Sequence, residues 1–174
     1  MKTKYSLYLF AVALVLYEFT TYAANDMIMP NMIDVVKEFN APISYVALSL
    51  SMYILGNPII QLILGPLSDR FGKKIVIIFG NSMFLVFTIF IALSINIHMF
   101  MGGRLLQGMG LAFIAIGYSI IHEYFDDKAA VKIIALMGNI AILAPIIGPI
   151  LGGIIANYTS WRFVFIFSSI TGFI

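Results

Sequence analysis

Cysteine is absent from the 174 residues, so no disulfide, thiol nucleophile or cysteine-bound metal enters the chemistry. Charge is scarce as well: 10% of residues are Asp, Glu, Lys or Arg, against about 25% in a soluble domain. Together with 61% hydrophobic residues and a mean hydropathy of +1.02, this scarcity excludes a water-soluble globular protein and points to an integral membrane protein. The two histidines, His98 and His122, are too few and too scattered for a metal cluster. No basic arm suits nucleic acid, and no nucleophile and base stand at a recognisable motif spacing, so nothing supports an enzyme.

What is present is a series of long apolar runs. A bilayer core about 30 Å thick needs roughly 20 apolar residues in a helix. Hydropathy predicts six such spans, at about residues 7–29, 44–67, 75–97, 99–122, 131–158 and 161 to the end, and hence an all-α integral membrane fold. Seven of the ten Lys and Arg residues lie at the amino terminus (Lys2, Lys4), after span two (Arg70, Lys73, Lys74) and after span four (Lys128, Lys132). The positive-inside rule makes that side the cytoplasm, with the amino terminus inside. Lys2 and Lys4 before an apolar stretch resemble a signal peptide, but Glu18 interrupts the stretch and further spans follow, so a retained helix is expected. The last run is shorter than the 17 or so residues that a crossing takes, and the expectation is a chain cut within its sixth helix. Tyr5, Tyr8, Tyr158 and Trp161 fit an interfacial aromatic belt. The ten methionines fit either lipid-facing filling or a soft, adaptable pocket.

Two acids break the first run, Glu18 and Asp26. A carboxylate at bilayer depth costs on the order of 2.5–3.5 kcal/mol on insertion scales, so a helix that keeps two of them has a use for them. At about 1.5 Å per residue, Glu18 lies roughly 17 Å from the inner start of its span, near the midplane, and Asp26 about 12 Å further out. Span four runs inward, which puts Arg104 at a depth similar to that of Asp26. An interaction of Asp26 with Arg104 across the helix bundle is expected, the alternative being that Arg104 snorkels to the outer interface. Glu18, Tyr22 and Asp26 follow i, i+4, i+8 spacing with Asn25 beside them, and Arg104, Gln107 and Gly108 form a matching stripe. Such faces avoid lipid and line a protein interior or a watery cavity. Burial and a nearby guanidinium act on an acid in opposite senses, which suits a proton site; a satisfied interhelical contact is the plainer reading.

The segment after span two reads Gly65-Pro66-Leu67-Ser68-Asp69-Arg70-Phe71-Gly72-Lys73-Lys74. It is predicted as a loop in which Gly65 and Gly72 permit close backbone approach and Pro66 bends or ends the helix. The segment resembles the signature of the major facilitator superfamily, G-x-L-(S/A)-D-R-x-G-(R/K)-(R/K), at every defining position. Residues 104–110 match the R-x-x-Q-G-x-G element of the fourth span in proton-coupled members. Residues 144–153 resemble the antiporter signature G-P-x-x-G-x-x-x-G-G, with Ala144 in place of its first glycine. Residues 16–30 are similar to the first span of MdfA-type bacterial multidrug/proton antiporters, both acids included.

The resemblance implies the amino-terminal six-helix half of a twelve-span transporter, covering residues 1–174, with the carboxy-terminal half absent. It implies proton-coupled efflux of lipophilic, cationic or neutral drugs across the bacterial inner membrane, with protons as coupling ion and no other cofactor. Proton and substrate coupling then falls to Glu18, Asp26 and Arg104. Tyr22, Asn25, Gln107, Asn139, Ala141 and Pro145 are pocket candidates. Gly65, Asp69, Arg70, Gly72, Lys73 and Glu123 belong to the cytoplasmic gate, in which Asp69 meets a helix end of the other half and Glu123 pairs with Arg70 or Lys73. Pro145, Gly148, Pro149, Gly152 and Gly153 form the antiporter motif, either a close-packed seam or a bend. Two alternatives stand beside this reading: a proton/solute symporter of the same superfamily, and a membrane fragment or structural subunit that does not transport.

Overall fold

Each apolar run becomes a helix that satisfies its own backbone polar groups, the only course open to an isolated segment in lipid. The computed structural model describes residues 2–172, with side chains from Leu7 onward. The side chains of Lys2, Lys4 and Tyr5 and the last two residues of the expected sixth span lie outside the described residues. Helix α1 covers Lys2–Ile28, and a 3₁₀ turn at Met29–Asn31, built around Pro30, leads into the short helix α2, Met32–Glu38. Hydropathy did not predict α2, because it is a surface helix of ordinary amphipathic kind: Met32, Val35 and Val36 are buried, while Asp34 and Lys37 are exposed.

Helix α3 spans Tyr45–Phe71 and corrects the expected loop. It runs on through Pro58 and Pro66, and the whole of Gly65–Phe71 is helical. The chain breaks only at Gly72, whose φ of 84° a side chain would strain; its amide still donates to the Ser68 carbonyl at 2.9 Å. Helix α4, Lys73–Ala92, starts on the next residue, so the basic end of this hairpin turns on a single glycine. After the turn at Leu93, Asn96 caps α5, Ile97–Gly108, by accepting the Met99 amide at 2.8 Å.

Span four, expected as one helix, is interrupted at Met109 between α5 and α6, Gly110–Tyr124. The interruption sits where Gly108 meets the backbone of Tyr53 so closely that a Cβ would collide with the Tyr53 carbonyl oxygen. The Tyr17 hydroxyl donates to the Gly110 carbonyl at 2.7 Å, serving an acceptor beside the break. Helix α7, Asp127–Tyr158, begins four residues before its predicted start because Asp126 caps it through the Ala129 amide at 3.3 Å. It continues unbroken through Pro145 and Pro149. The last helix, α8, is Arg162–Gly172. No strand occurs among the described residues, and five helical stretches are long and apolar enough to cross a membrane.

Helix α1 is central, packed on α6, α7 and α8. Its partner surface on α7 is a line of small residues, Ala144, Gly148 and Gly152, all buried. A Cβ at Gly152 would strike the Met27 carbonyl, and Asn31 ties the two helices by donating to the carbonyls of Gly152 (3.0 Å) and Met27 (3.2 Å). At the end opposite the basic loops, Glu38 accepts from Trp161 Nε1 and from Arg162 Nη1, both at 2.6 Å. Arg162 Nη2 also donates to the Ser94 carbonyl at 3.0 Å, and its guanidinium lies 4.2 Å from the Trp161 ring centroid. Three connections are thereby fastened together: the end of α2, the α4–α5 turn and the start of α8. Helices α3 and α7 leave most of their apolar side chains exposed, whereas α5 and α6 are the most buried pair.

Candidate substrate and proton site

The polar face expected on α1 exists, and α4, α5 and α6 complete it. Glu18 is 1% exposed. The Tyr118 hydroxyl, from α6, donates to its Oε1 at 3.0 Å, and its Oε2 is buried with no hydrogen-bond partner among the described residues. Tyr22, one turn further along α1, is half-buried. Asp26 is half-buried, with Gly148 of α7 at its back: a Cβ at that glycine would stand 3.0 Å from Asp26 Cβ.

Arg104 is fully buried and does not snorkel. It interacts with Asp26 as expected from depth, but through a relay and not by an ion pair. Its Nη2 donates in a short bond to Asn25 Oδ1, and Asn25 Nδ2 in turn donates to Asp26 Oδ1 at 3.1 Å. Depth arithmetic placed the two charges at the right level; the azimuth of Asn25 puts its amide between them. On the other side, Arg104 Nη1 donates to Gln107 Oε1 at 2.8 Å, Gln107 Nε2 to Thr88 Oγ1 at 2.8 Å, and Thr88 to the Phe84 carbonyl at 2.6 Å. The guanidinium also lies 4.5 Å from the centroid of the Tyr53 ring, whose hydroxyl donates to the Thr21 carbonyl at 2.6 Å. A cation removed from water is thus held by two amide oxygens and an aromatic face, and linked to an acid through one neutral side chain.

Sequence reasoning missed Thr88, Tyr53 and Tyr118. Thr88 carried a signal, as the one polar side chain between Met83 and Ala92 of α4. Of the pocket candidates, Tyr22, Asn25 and Gln107 belong to this region. Asn139 and Pro145 are exposed on this unit and Ala141 is half-buried, because α7 turns Ala144 and Gly148 to α1.

At the basic end, Lys73 pairs with Glu123 Oε2 at 2.6 Å and donates to Ser119 Oγ at 2.8 Å. Arg70 makes no bond to Glu123; its guanidinium lies 5.2 Å from the ring of Phe71. Asp69 and Arg70 are exposed. Within this unit a Cβ at Gly65, Gly72 or Gly153 would meet nothing within 4 Å. A cavity of about 530 Å³ opens beside the ion pair, between Leu7, Phe10, Ser68, Gly72 and Ile120. Both charges are partly solvated, with side-chain exposures of 33% and 50%. Glu123→Gln is therefore expected to lower unfolding stability in detergent by no more than about 1 kcal/mol.

Among curated proteins, the chain is 43% identical over 165 residues to a multidrug transporter MdfA of Yersinia pestis bv. Antiqua (strain Angola), covering 94% of this chain and 40% of that protein. It is 43% identical over 159 residues to a multidrug transporter MdfA of Escherichia coli O6:H1, covering 91% and 39%. A chloramphenicol resistance protein CraA of Acinetobacter baumannii is 42% identical over 159 residues, covering 91% and 38%. The chain therefore spans about 40% of the length of the curated relatives it matches. Residues 14–174 match the sequence profile of the Major Facilitator Superfamily, to which the chain belongs.

Proposed function

We propose that this six-helix unit is the proton- and drug-binding half of a carrier that exports lipophilic, cationic or neutral drugs in exchange for protons. The observation that carries the reading is a pair of acids in unlike settings on one helix long and apolar enough to cross a membrane. Glu18 is buried with one oxygen unpartnered, and Asp26 is tied through Asn25 to a fully buried Arg104. A carboxylate with a free oxygen attracts a cation or takes up a proton, and only one of these at a time neutralises it. Such competition is what exchange requires: proton uptake weakens the hold on drug, and drug binding favours release of the proton.

The names of the relatives, multidrug transporter and chloramphenicol resistance protein, agree with a drug as cargo. A complete path would enlist a second six-helix half against the exposed faces of α3 and α7, with alternating access by rocking of the halves about a midplane cavity, in the bacterial inner membrane. The ion pair of Lys73 and Glu123, with Asp69 and Arg70 beside it, belongs to the inner gate. The test is proton release on addition of drug to the purified protein in weakly buffered detergent solution. Glu18→Gln with Asp26→Asn is expected to reduce release to background, and release unchanged in the double variant overturns the assignment.

A further inference from the structure

The two carboxylate oxygens of Glu18 stand in different surroundings. Oε1 accepts the Tyr118 hydroxyl at 3.0 Å, while Oε2 is buried without a partner among the described residues. A buried carboxylate oxygen without a protein donor is a strong acceptor. Helix α6 runs close to α1 beside Tyr118: a Cβ at Gly117 would come within 2.7 Å of Leu14 Cδ2, one turn from Glu18. The bond from Tyr17 to the Gly110 carbonyl pins the same pair of helices at the start of α6. Tyr22 and Tyr118 are both half-buried, so Glu18 sits among two phenols whose rings face the surface of this unit in part.

We propose that Tyr118 is a positioning residue for Glu18: its hydroxyl engages Oε1, which orients the carboxylate and leaves Oε2 as the oxygen without a protein donor, toward which a proton or a cationic ligand is directed. The inference rests on the reading of Glu18 as an exchange site and adds how the carboxylate is oriented and its charged form stabilised there. The competition follows from charge, since a protonated carboxyl has none left to hold a cation. The Tyr118 bond stabilises the charged form and fixes which oxygen is presented. Tyr118 acts through Glu18 and has no exchange chemistry of its own.

The test uses membranes carrying the chain and dicyclohexylcarbodiimide, an apolar reagent that adds to protonated carboxyls within bilayers, with modification at Glu18 followed by peptide mass. Tyr118→Phe is expected to raise the labelling rate at Glu18 by about three- to tenfold, the factor that corresponds to one hydrogen bond. Tyr118→Gln, which retains a donor, is expected to return the rate toward that of the unsubstituted chain. An unchanged or slower rate in Tyr118→Phe overturns the proposal. Tetraphenylphosphonium is expected to slow labelling of the unsubstituted chain and to protect the Phe variant less well. If it protects neither, the cation is removed from Glu18 and the proposed exchange at that acid falls, while the rate comparison still judges the Tyr118 contact.

Discussion

Gly152→Val is expected to push α7 off α1 and to destabilise the fold by about 2–4 kcal/mol, read as a shift in unfolding in detergent. The added Cβ meets the Met27 carbonyl, an atom of a helix backbone that cannot rotate away as a side chain would. Separating the helices also stretches the bond from Asn31 to the Gly152 carbonyl. In lipid no hydrophobic force draws helices together, so close backbone contact of this kind supplies much of the association. Gly153→Val is the internal control. A Cβ there meets nothing within 4 Å, and valine in place of glycine in a helix interior is expected to change stability by less than about 1 kcal/mol. Equal effects at the two positions would show that helix propensity, and not the α1–α7 seam, sets the response.

Arg104→Ala is the second large effect expected, and it has two readouts. Removing the guanidinium leaves Asn25 Oδ1 and Gln107 Oε1 without their donors and removes the cation from the Tyr53 ring. Each buried acceptor left unpaired costs about 1–3 kcal/mol, for a total loss of about 2–5 kcal/mol in unfolding stability after partial relaxation. Drug-induced proton release is expected to fall with it, because Asp26 loses its link to the positive charge. Arg104→Lys separates charge from geometry. An ammonium keeps the charge but lacks the planar fork that spans Asn25 and Gln107 while lying on Tyr53, so it is expected to recover part of the stability and little of the proton release. Wild-type behaviour of the lysine variant in both assays would mean that a point charge is enough.

The acids and the arginine were legible because charge is expensive at bilayer depth, and an expensive residue stands out in an apolar run. Depth was legible too, since helical rise is nearly constant. What did not follow was azimuth. The direction in which Asn25 points decides whether Arg104 reaches Asp26 directly, and one residue of rotation, about 100°, interposes an amide between two charges. Azimuth also decides α7: its small residues Ala144, Gly148 and Gly152 take the face toward α1, which leaves Asn139 and Pro145 on the exposed side. Pro66 misled in another way. Its propensity argues for a break, yet membrane helices tolerate proline, and the positive φ at Gly72 is what ends α3. Helix α2 escaped because hydropathy looks for spans, and its buried side is only Met32, Val35 and Val36.

The fastening at the far end has a spectroscopic side. Trp161 is the chain's single tryptophan, is 4% exposed, and has its indole N–H committed to Glu38 and its face to Arg162. Indole emission, excited at the red edge where tyrosine does not absorb, therefore comes from one address in this protein, where three connections meet at the end of α2. The molecule carries its own optical label, sensitive to the junction of α2, α5 and α8 and needing no engineered dye.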